Sequence, residues 1–248
     1  MGDTLKVVDT HVHLGPCRIF GLRVTEQDII DYLNRYNVVA AIVQPFPGSP
    51  DPISTHNEIY NLSQKFKGRI FGLASMNPFL DEELVRRELG RALGELGFVG
   101  VKLHTAGHAI SPTNPRADML FKIAGKYKVP VMIHTGPGPF SDPMLAASKA
   151  EEYPDVKIIL AHAGFGIYAN GALFMAKKYD NVYLELSWNH VFDIAAFTSV
   201  VPDKVLFGTD LVENIPVEYA KLEGLRLPES IKEKLLYLNA KKVFNLPV

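Results

Sequence analysis

Histidine and acidic residues recur at one kind of position in this sequence, at or just beyond the end of a short apolar run. They are His11, His13, His104, His134, His162, Glu185 and Asp210. Imidazole nitrogens and carboxylate oxygens suit a borderline divalent cation, so Zn²⁺ is expected, with Fe²⁺, Mn²⁺ or Co²⁺ as alternatives. Three or four such ligands around an open coordination position would activate a bound water near neutral pH. These residue types therefore predict a metal site, provided that the fold brings them together.

The elements that must position these residues alternate along the 248-residue chain. The apolar runs, rich in Val and Ile, are strand candidates at 5–11, 38–44, 70–76, 99–104, 129–135, 157–163, 182–187 and 204–210. Amphipathic segments such as 25–36 and 81–96 separate them, and 227–244 is predicted to be the last helix. Strict alternation indicates a parallel sheet, and eight units of roughly 25 residues fit an α/β protein of the (β/α)₈ (TIM) barrel type. A doubly wound open sheet is the alternative, but no glycine-rich phosphate turn follows the first strand.

In a barrel, the carboxyl ends of the strands form the mouth where active sites are assembled. His11 and His13 are two residues apart, so both should face the barrel axis while Val12 packs outward. Lys102 and His104 share a face as well, with His104 nearer the mouth and Lys102 one layer below it. Glu185 would either accept a hydrogen bond from a ligand histidine or form a buried salt bridge with Lys102.

Five motifs in this order resemble the amidohydrolase superfamily: VDTHVH (8–13), VPVMIHTG (129–136), LAHAG (160–164), LFGTD (206–210) and NAKKVF (239–244). The branch they resemble is the amidohydrolase-related group that includes aminocarboxymuconate-semialdehyde decarboxylase and resorcylate-type decarboxylases. The resemblance implies a distorted TIM barrel with a metal at its mouth. It also implies that His11, His13, His134 and Asp210 are the ligands of one metal ion, and that His162 is a general base or the ligand of a second ion.

The leading expectation is a metal-dependent hydrolase of a small amide, ester or lactone, in which Asp210 and His162 handle the protons of an activated water. A non-oxidative decarboxylase of a small carboxylic acid is the first alternative, because it would use the same site. A binuclear hydrolase is another, with His162 and either His104 or Lys102 at a second ion. In some binuclear relatives a carboxylated lysine bridges two metals on this strand. A metal-independent or catalytically silent barrel that binds small molecules is the last.

The loops after the strands are expected to determine which substrate binds. Arg18 in the loop 14–24 and Trp188 after the seventh strand are candidate substrate contacts, together with His104 and Lys102. Arginine and aromatic side chains suit a small carboxylated or aromatic substrate. His56 and His108 are expected at the surface. A homodimer is expected from the resemblance alone.

Composition argues against several other functions. The 26 Lys+Arg and 27 Asp+Glu residues leave a formal net charge of -1, which does not favour nucleic-acid binding. No run of 18 apolar residues occurs, so no membrane span is expected. The single cysteine, Cys17, and an N-terminus that is unlike a signal peptide favour a cytoplasmic location. No linker-like break in composition divides the chain, and a single domain over 1–248 is expected.

Overall fold

Nine strands form one sheet in the computed structural model, which describes residues 5–248. Residues 1–4 belong to the expected domain but lie outside the described residues. The sheet order is β2-β1-β3-β4-β5-β6-β7-β8-β9, and all neighbours are parallel except the antiparallel pair β1 and β2. The strands are β1 Val7–Cys17, β2 Leu22–Val24, β3 Val38–Pro45, β4 Ile70–Ser75, β5 Gly100–Leu103, β6 Val131–His134, β7 Ile158–Ala161, β8 Val182–Glu185 and β9 Val205–Leu206. Each predicted strand is present, and β2 is an additional strand.

The sheet closes on itself between its last parallel strand and its first. Val12 and Asp210 form a parallel bridge, and the Asp210 amide donates to the His11 carbonyl at 2.8 Å. The Thr10 amide donates to the Phe207 carbonyl at 3.0 Å. The eight parallel strands therefore enclose a distorted (β/α)₈ barrel, which confirms the predicted fold class.

Helices follow the parallel strands and cover the outside of the barrel. They are α1 Glu26–Arg35, α2 Pro52–Lys65, α3 Glu82–Gly94, α4 Asp118–Tyr127, α5 Ala147–Glu152, α6 Ala169–Lys178, α7 Val191–Val200, α8 Ile215–Leu225, α9 Glu229–Glu233 and α10 Asn239–Phe244. A π-helical turn, Lys234–Leu238, joins α9 to α10, so the predicted last helix is one helix with a bulge. Among the described residues, no helix combines the length and apolar character needed to cross a bilayer.

Local sequence explains where the first helix begins and which face it buries. Thr25 caps α1 through its side chain, and Asp28 bonds back to the Thr25 amide, which completes a capping box. Ile29 and Leu33 point inward, one turn apart, and are fully buried. The amphipathic pattern of 25–36 thus positions α1 against the barrel wall.

The apolar core has two layers, one inside the barrel and one between strands and helices. The inner layer includes Val8, Ile42, Leu73, Met132, Ile159 and Leu206. Side chains of the last helix close the bottom of this layer, among them Tyr237, Ala240, Val243 and Phe244. Because these side chains fill the amino end of the barrel, the cavity opens at the carboxyl ends of the strands.

The first strand departs from the predicted pattern. It runs to Cys17 and turns back into β2, with Gly15 opposite Val24, where the sequence predicted a loop over 14–24. Its pairing with β3 also shifts register between Asp9 and Val12. This irregularity places both Val8 and His11 on the inner side of the barrel, although they are an odd number of residues apart.

Asp9 ties together the two strands at the barrel closure. Its Oδ1 accepts from the His11 amide at 3.0 Å and from the Thr209 amide at 3.2 Å. Its Oδ2 accepts from the Thr209 hydroxyl at 2.7 Å and from the Tyr32 hydroxyl. Because Asp9 is fully buried, these four donors are shielded from bulk solvent and depend on its carboxylate as their acceptor.

We expect Asp9→Ala to destabilise the protein by about 3 kcal/mol or more, since it leaves several buried donors unpaired. Thermal and urea unfolding followed by circular dichroism would measure the loss. Asp31→Ala, which removes an exposed aspartate on α1, is the matched control and should change stability by less than about 0.5 kcal/mol. Equal stability of the two variants would show that Asp9 does not hold the closure.

Candidate metal and substrate site

Three potential metal ligands converge at the barrel mouth. His11 and His13 lie on β1, and Asp210 follows β9 at the point where the barrel closes. The Nε2 atoms of His11 and His13 are 3.3 Å apart. Asp210 Oδ1 lies 3.2 Å from His11 Nε2 and 3.1 Å from His13 Nε2. Asp210, which lies 197 or more positions from the two histidines in sequence, thus joins them in presenting three ligand atoms to one point.

Hydrogen bonds on the far side of each ring orient the two histidines. The Pro45 carbonyl can only accept, so His13 Nδ1 donates to it, at 3.1 Å. His11 Nδ1 donates in the same way to Glu185 Oε2 at 2.8 Å. Both Nε2 lone pairs then face Asp210 Oδ1, and three electron-rich atoms this close repel one another unless a cation lies among them. The donor set therefore fits a divalent metal ion.

An amino group and an amide group border the same atoms. Lys102 Nζ lies 3.0 Å from His11 Nε2, and Gln44 Nε2 lies 3.3 Å from His13 Nε2. Burial lowers the pKa of Lys102 to about 8, although Asp210 and Glu185 oppose the shift. Lys102 lies beneath the mouth, where its register placed it, and it touches a candidate ligand rather than the cavity.

Glu185 is the hydrogen-bond centre of this region. Besides His11, its Oε2 accepts from the His162 amide at 3.1 Å and the Ser187 hydroxyl at 3.0 Å. Its Oε1 accepts from the Ser187 amide at 2.6 Å. Of the two roles considered for Glu185, acceptor from a histidine is the one that its contacts show. His11, His162 and Glu185 also have the spacing of metal ligands, but the bond from His11 Nδ1 to Glu185 and the bond from His162 Nδ1 to Ser187 already account for that spacing.

His162 presents a free nitrogen to the cavity. The Ser187 hydroxyl donates to Glu185, so it accepts from His162 Nδ1, at 2.7 Å. This leaves His162 Nε2 without a proton in the neutral ring. Burial lowers the pKa of His162 to about 3, despite the nearby carboxylate of Asp210, so the ring is neutral at physiological pH.

His134 and His104 lie side by side at the ends of neighbouring strands. Leu103 pairs with Ile133 in the sheet, so the next residues, His104 and His134, are adjacent. Their rings stack with centroids 4.1 Å apart, and the His134 ring lies 5.0 Å from that of His162. His134 is at the same cavity as the other candidates but outside the group of His11, His13 and Asp210, whose ligand atoms lie within 4.8 Å of one another.

A cavity of about 530 Å³ opens above these residues. Its lining comprises His13, Phe20, Leu22, Phe46, Pro47, His104, Ala106, His134, Pro137, His162, Phe165, Trp188, Asp210 and Leu211. The Trp188 indole stacks on Phe165 at 6.0 Å and donates to Asp210 Oδ2 at 2.9 Å. Of the four candidate substrate contacts, His104 and Trp188 line the cavity, while Arg18 is exposed outside it and Lys102 is buried beneath it.

Several residues at the site have no distinctive sequence pattern. Gln44 ends a strand next to Pro45, and Ser187 lies two residues after Glu185. Glu218 on α8 accepts from the Trp188 amide at 3.0 Å and so holds that residue from outside the barrel. Only the spatial arrangement reveals these supporting roles.

The expected surface location of two other histidines is wrong. His56 is fully buried, with Nδ1 donating to Glu88 at 2.7 Å and Nε2 accepting from the Ser75 amide at 3.0 Å. His108 is buried next to His104, with ring centroids 6.3 Å apart. The hydrogen bonds with Glu88 and Ser75 allow the polar ring of His56 to be buried, and the sequence around His56 could not predict these partners.

Comparison with known proteins agrees with this geometry. The sequence model of the amidohydrolase family matches residues 8–246. The chain belongs to the amidohydrolase family. Among curated proteins, it is 26% identical to gamma-resorcylate decarboxylase of Polaromonas sp. (strain JS666 / ATCC BAA-500), over 72% of this chain and 71% of that protein.

Two solved structures illustrate the shared fold. One is 5-carboxyvanillate decarboxylase of Novosphingobium aromaticivorans in complex with manganese and 4-hydroxy-3-methoxy-5-nitrobenzoic acid. It matches with a TM-score of 0.77 and 17% sequence identity, and the match covers 99% of this chain and 97% of that one. The other is dihydroxybenzoic acid decarboxylase of Polaromonas sp. JS666 with manganese and 2-nitroresorcinol, with a TM-score of 0.75, 19% identity and coverage of 99% and 98%. At these identities the likeness establishes the fold alone.

These relatives correct the leading expectation about chemistry. The sequence favoured a hydrolase, but the relatives described above are decarboxylases, so hydrolysis is wrong as the main interpretation. The error has a physical reason, because one metal, its ligands and a neighbouring histidine can serve either reaction. The family membership is confirmed, and His11, His13 and Asp210 have the spacing of a divalent metal site, but zinc in particular is not confirmed.

We expect Asp210→Asn to weaken Mn²⁺ binding by about a hundredfold or more, because it removes the negative charge beside both Nε2 atoms. Loss of a residue that only hydrogen-bonds to a metal ligand already lowers metal affinity by about 10–100-fold. Isothermal titration with MnCl₂ would measure the affinity, and circular dichroism would check the fold. Asp203→Asn, at an exposed aspartate paired with Lys234, should bind Mn²⁺ like the unmodified protein. Unchanged affinity of Asp210→Asn would exclude Asp210 as a ligand.

Proposed function

We propose that this enzyme is a metal-dependent, non-oxidative decarboxylase of a small aromatic carboxylic acid. The observation that carries the proposal is the convergence of His11, His13 and Asp210 at the floor of a cavity with aromatic walls. The relationship to a gamma-resorcylate decarboxylase supports the choice of reaction. The decarboxylase considered as an alternative from the sequence thus becomes the main interpretation.

The metal ligands in this proposal are His11, His13, Asp210 and His134, which lines the same cavity. One ion is proposed, because among the described residues the other group with ligand spacing is internally hydrogen-bonded through Glu185. Zn²⁺ and Mn²⁺ both suit nitrogen and carboxylate ligands, and manganese in the related structures makes Mn²⁺ the ion to test first. When bound, the ion would orient the substrate carboxylate and withdraw electron density from the ring.

A side chain of the protein must then transfer one proton to the substrate ring. Cleavage of the bond between ring and carboxylate releases CO₂ and leaves the electron pair on the ring carbon, which has to take up a proton. His162 suits this role because its unprotonated Nε2 faces the cavity and Ser187 fixes the ring. It would accept a proton from a substrate hydroxyl or carboxyl group and pass it to the ring carbon.

The cavity walls suit a flat aromatic acid. Phe46 stacks on His13 with centroids 4.5 Å apart, and Phe165 and Trp188 form another aromatic wall. The indole N–H of Trp188 holds Asp210 Oδ2, which leaves Oδ1 directed at the two histidines. A volume of about 530 Å³ accommodates a substituted benzoate and excludes a polymer.

We also propose that the protein forms a homodimer through the surface beside the mouth. Large apolar side chains are exposed on three consecutive segments that follow β6, β7 and β8: Phe140, Met144, Ile167, Tyr168, Phe174, Val191 and Phe192. The segments adjoin, since Gly171 lies against Met144 and Gly166 against His190. Exposed apolar patches of this kind are typical of protein–protein interfaces.

We expect the Mn²⁺-loaded protein to convert 2,6-dihydroxybenzoate into 1,3-dihydroxybenzene and CO₂, with loss of activity on chelation and recovery with MnCl₂. His162→Asn should lower kcat by about a hundredfold while Mn²⁺ affinity stays the same, because proton transfer typically contributes that much. Liquid chromatography of the aromatic product and CO₂ release would measure turnover.

His190→Asn is the control for that substitution, since the His190 side chain is 76% exposed and does not line the cavity. It should keep the activity of the unmodified protein. Hydrolysis of esters without release of CO₂ from any benzoate tested would reject the proposed reaction, and full activity of His162→Asn would reject the proton role.

We expect Phe192→Asp to shift the protein toward monomer, because Phe192 is the most exposed of the patch residues at 88%. Light scattering after size exclusion would measure the mass in solution. Val200→Asp is the matched control, an exposed apolar residue at the opposite end of α7. A monomeric unmodified protein, or a dimer that withstands Phe192→Asp, would contradict this interface.

A further inference from the structure

One polar residue of the cavity has no role in the proposed mechanism. His13, His134 and Asp210 are proposed metal ligands, His162 handles the proton, and the Trp188 N–H is occupied by Asp210. His104 is the remaining polar side chain among the lining residues that the structure describes. It is 7% exposed, and that exposure is to the cavity.

The ring of His104 is held on two sides. It stacks on His134 with an angle of 13° between the planes and a centroid distance of 4.1 Å. On another side the buried ring of His108 lies at 6.3 Å, almost edge-on. The amide of His108 donates to the carbonyl of His104 at 2.8 Å, so the same turn holds both backbone and ring.

A backbone hydrogen bond determines which nitrogen of His104 carries the proton. The Gly107 amide donates to His104 Nδ1 at 2.9 Å. An amide N–H can only donate, so Nδ1 is the acceptor and the hydrogen of the neutral ring is on Nε2. Gly107 packs so closely that a Cβ there would lie 3.1 Å from this nitrogen and would collide with Pro47. The ring therefore has little freedom to turn over.

The Nε2–H group has no acceptor among the described residues. The other residues of the wall near it, Phe46, Pro47 and Ala106, line the cavity without side-chain donors or acceptors. A donor in such surroundings gains a bond from a substrate with an oxygen at the right position, and it is left unpaired by a substrate that lacks one.

We propose that His104 is a specificity-determining residue, a fixed Nε2–H donor that selects aromatic acids with a hydroxyl or alkoxy oxygen on the ring. This inference rests on the proposed function, which it extends from an aromatic carboxylic acid to an oxygen-substituted one. His104 acts on the substrate itself and takes no part in holding the metal or moving the proton.

Binding to the Mn²⁺-loaded protein tests the inference without turnover. Trp188 is the only tryptophan of the chain and lines the cavity, so its fluorescence reports occupancy. The probes are 2-, 3- and 4-hydroxybenzoate, each paired with the methylbenzoate that carries CH₃ in place of OH. The ratio of the two dissociation constants in each pair measures discrimination, and it cancels contacts that both probes share.

Two substitutions at His104 separate the contribution of the Nε2–H donor from the contribution of the packed imidazole ring. His104→Asn keeps an amide oxygen near the Nδ1 position to accept from Gly107 but has no donor at the Nε2 position. His104→Gln can place an amide N–H farther out, near the lost donor. His190→Asn is the control at an exposed histidine. Circular dichroism and Mn²⁺ titration show whether each variant keeps its fold and metal.

We expect the unmodified protein and His190→Asn to prefer the hydroxyl probe by about tenfold or more at one ring position. His104→Asn should lose most of this preference at that position, and His104→Gln should restore part of it. Equal weakening of both members of every pair, or unchanged discrimination in His104→Asn, would overturn the inference and leave the proposed function intact. No binding of any benzoate to the unmodified protein would instead reject the proposed substrate class, and this inference with it.

Discussion

The mouth of the barrel depends on one buried carboxylate, that of Glu185. It accepts from the His11 ring, the His162 backbone and both donors of Ser187. Through Ser187 it also determines the orientation of the His162 ring. The bond to the His11 ring, and the bond between Ser187 and the His162 ring, direct the imidazole Nε2 lone pairs away from Glu185 and toward the mouth, which is the arrangement that a cation needs. Gly208 is part of the same constraint, because a Cβ at that position would overlap the Glu185 side chain.

The strand ends around Glu185 have backbone conformations that are costly for residues other than glycine. His162, Trp188 and Asp210 have φ angles of 64°, 65° and 66°. Such conformations persist where surrounding contacts hold them, and here each backbone amide has a buried acceptor. Glu185 accepts from His162, Glu218 from Trp188, and the His11 carbonyl from Asp210. The strain at the site is therefore balanced by hydrogen bonds from the barrel wall and from α8.

The same arrangement explains why the chemistry of the family is difficult to read from its ligands. A cation among His11, His13 and Asp210 can activate water or orient a carboxylate, and the neighbouring His162 can move a proton in either case. The walls of the cavity carry the information about the substrate. They combine aromatic faces with one donor, His104, which has no partner among the described residues. Selection among substrates is thus assigned to a different side chain from those that hold the metal and move the proton.

The sequence by itself determined the alternation of strands and helices, the barrel, and the positions of the polar residues at the strand ends. Apolar runs of fixed length and the two-residue repeat of a strand are local properties, so His11 and His13 could be assigned to one face without coordinates. It also carried the family motifs, which the match over residues 8–246 confirms. It did not predict β2, the register shift in β1, or the burial of His56 and His108.

Only the tertiary structure decided which partner each polar group has. Glu185 could equally have paired with Lys102 or with a histidine, and Gln44, Ser187 and Glu218 carried no pattern at all. It also placed Arg18 outside the cavity and His104 on its wall. The physical reason is that hydrogen bonds and the tautomers they impose depend on distances of a few tenths of an ångström between distant segments. Residue spacing along a chain does not contain those distances.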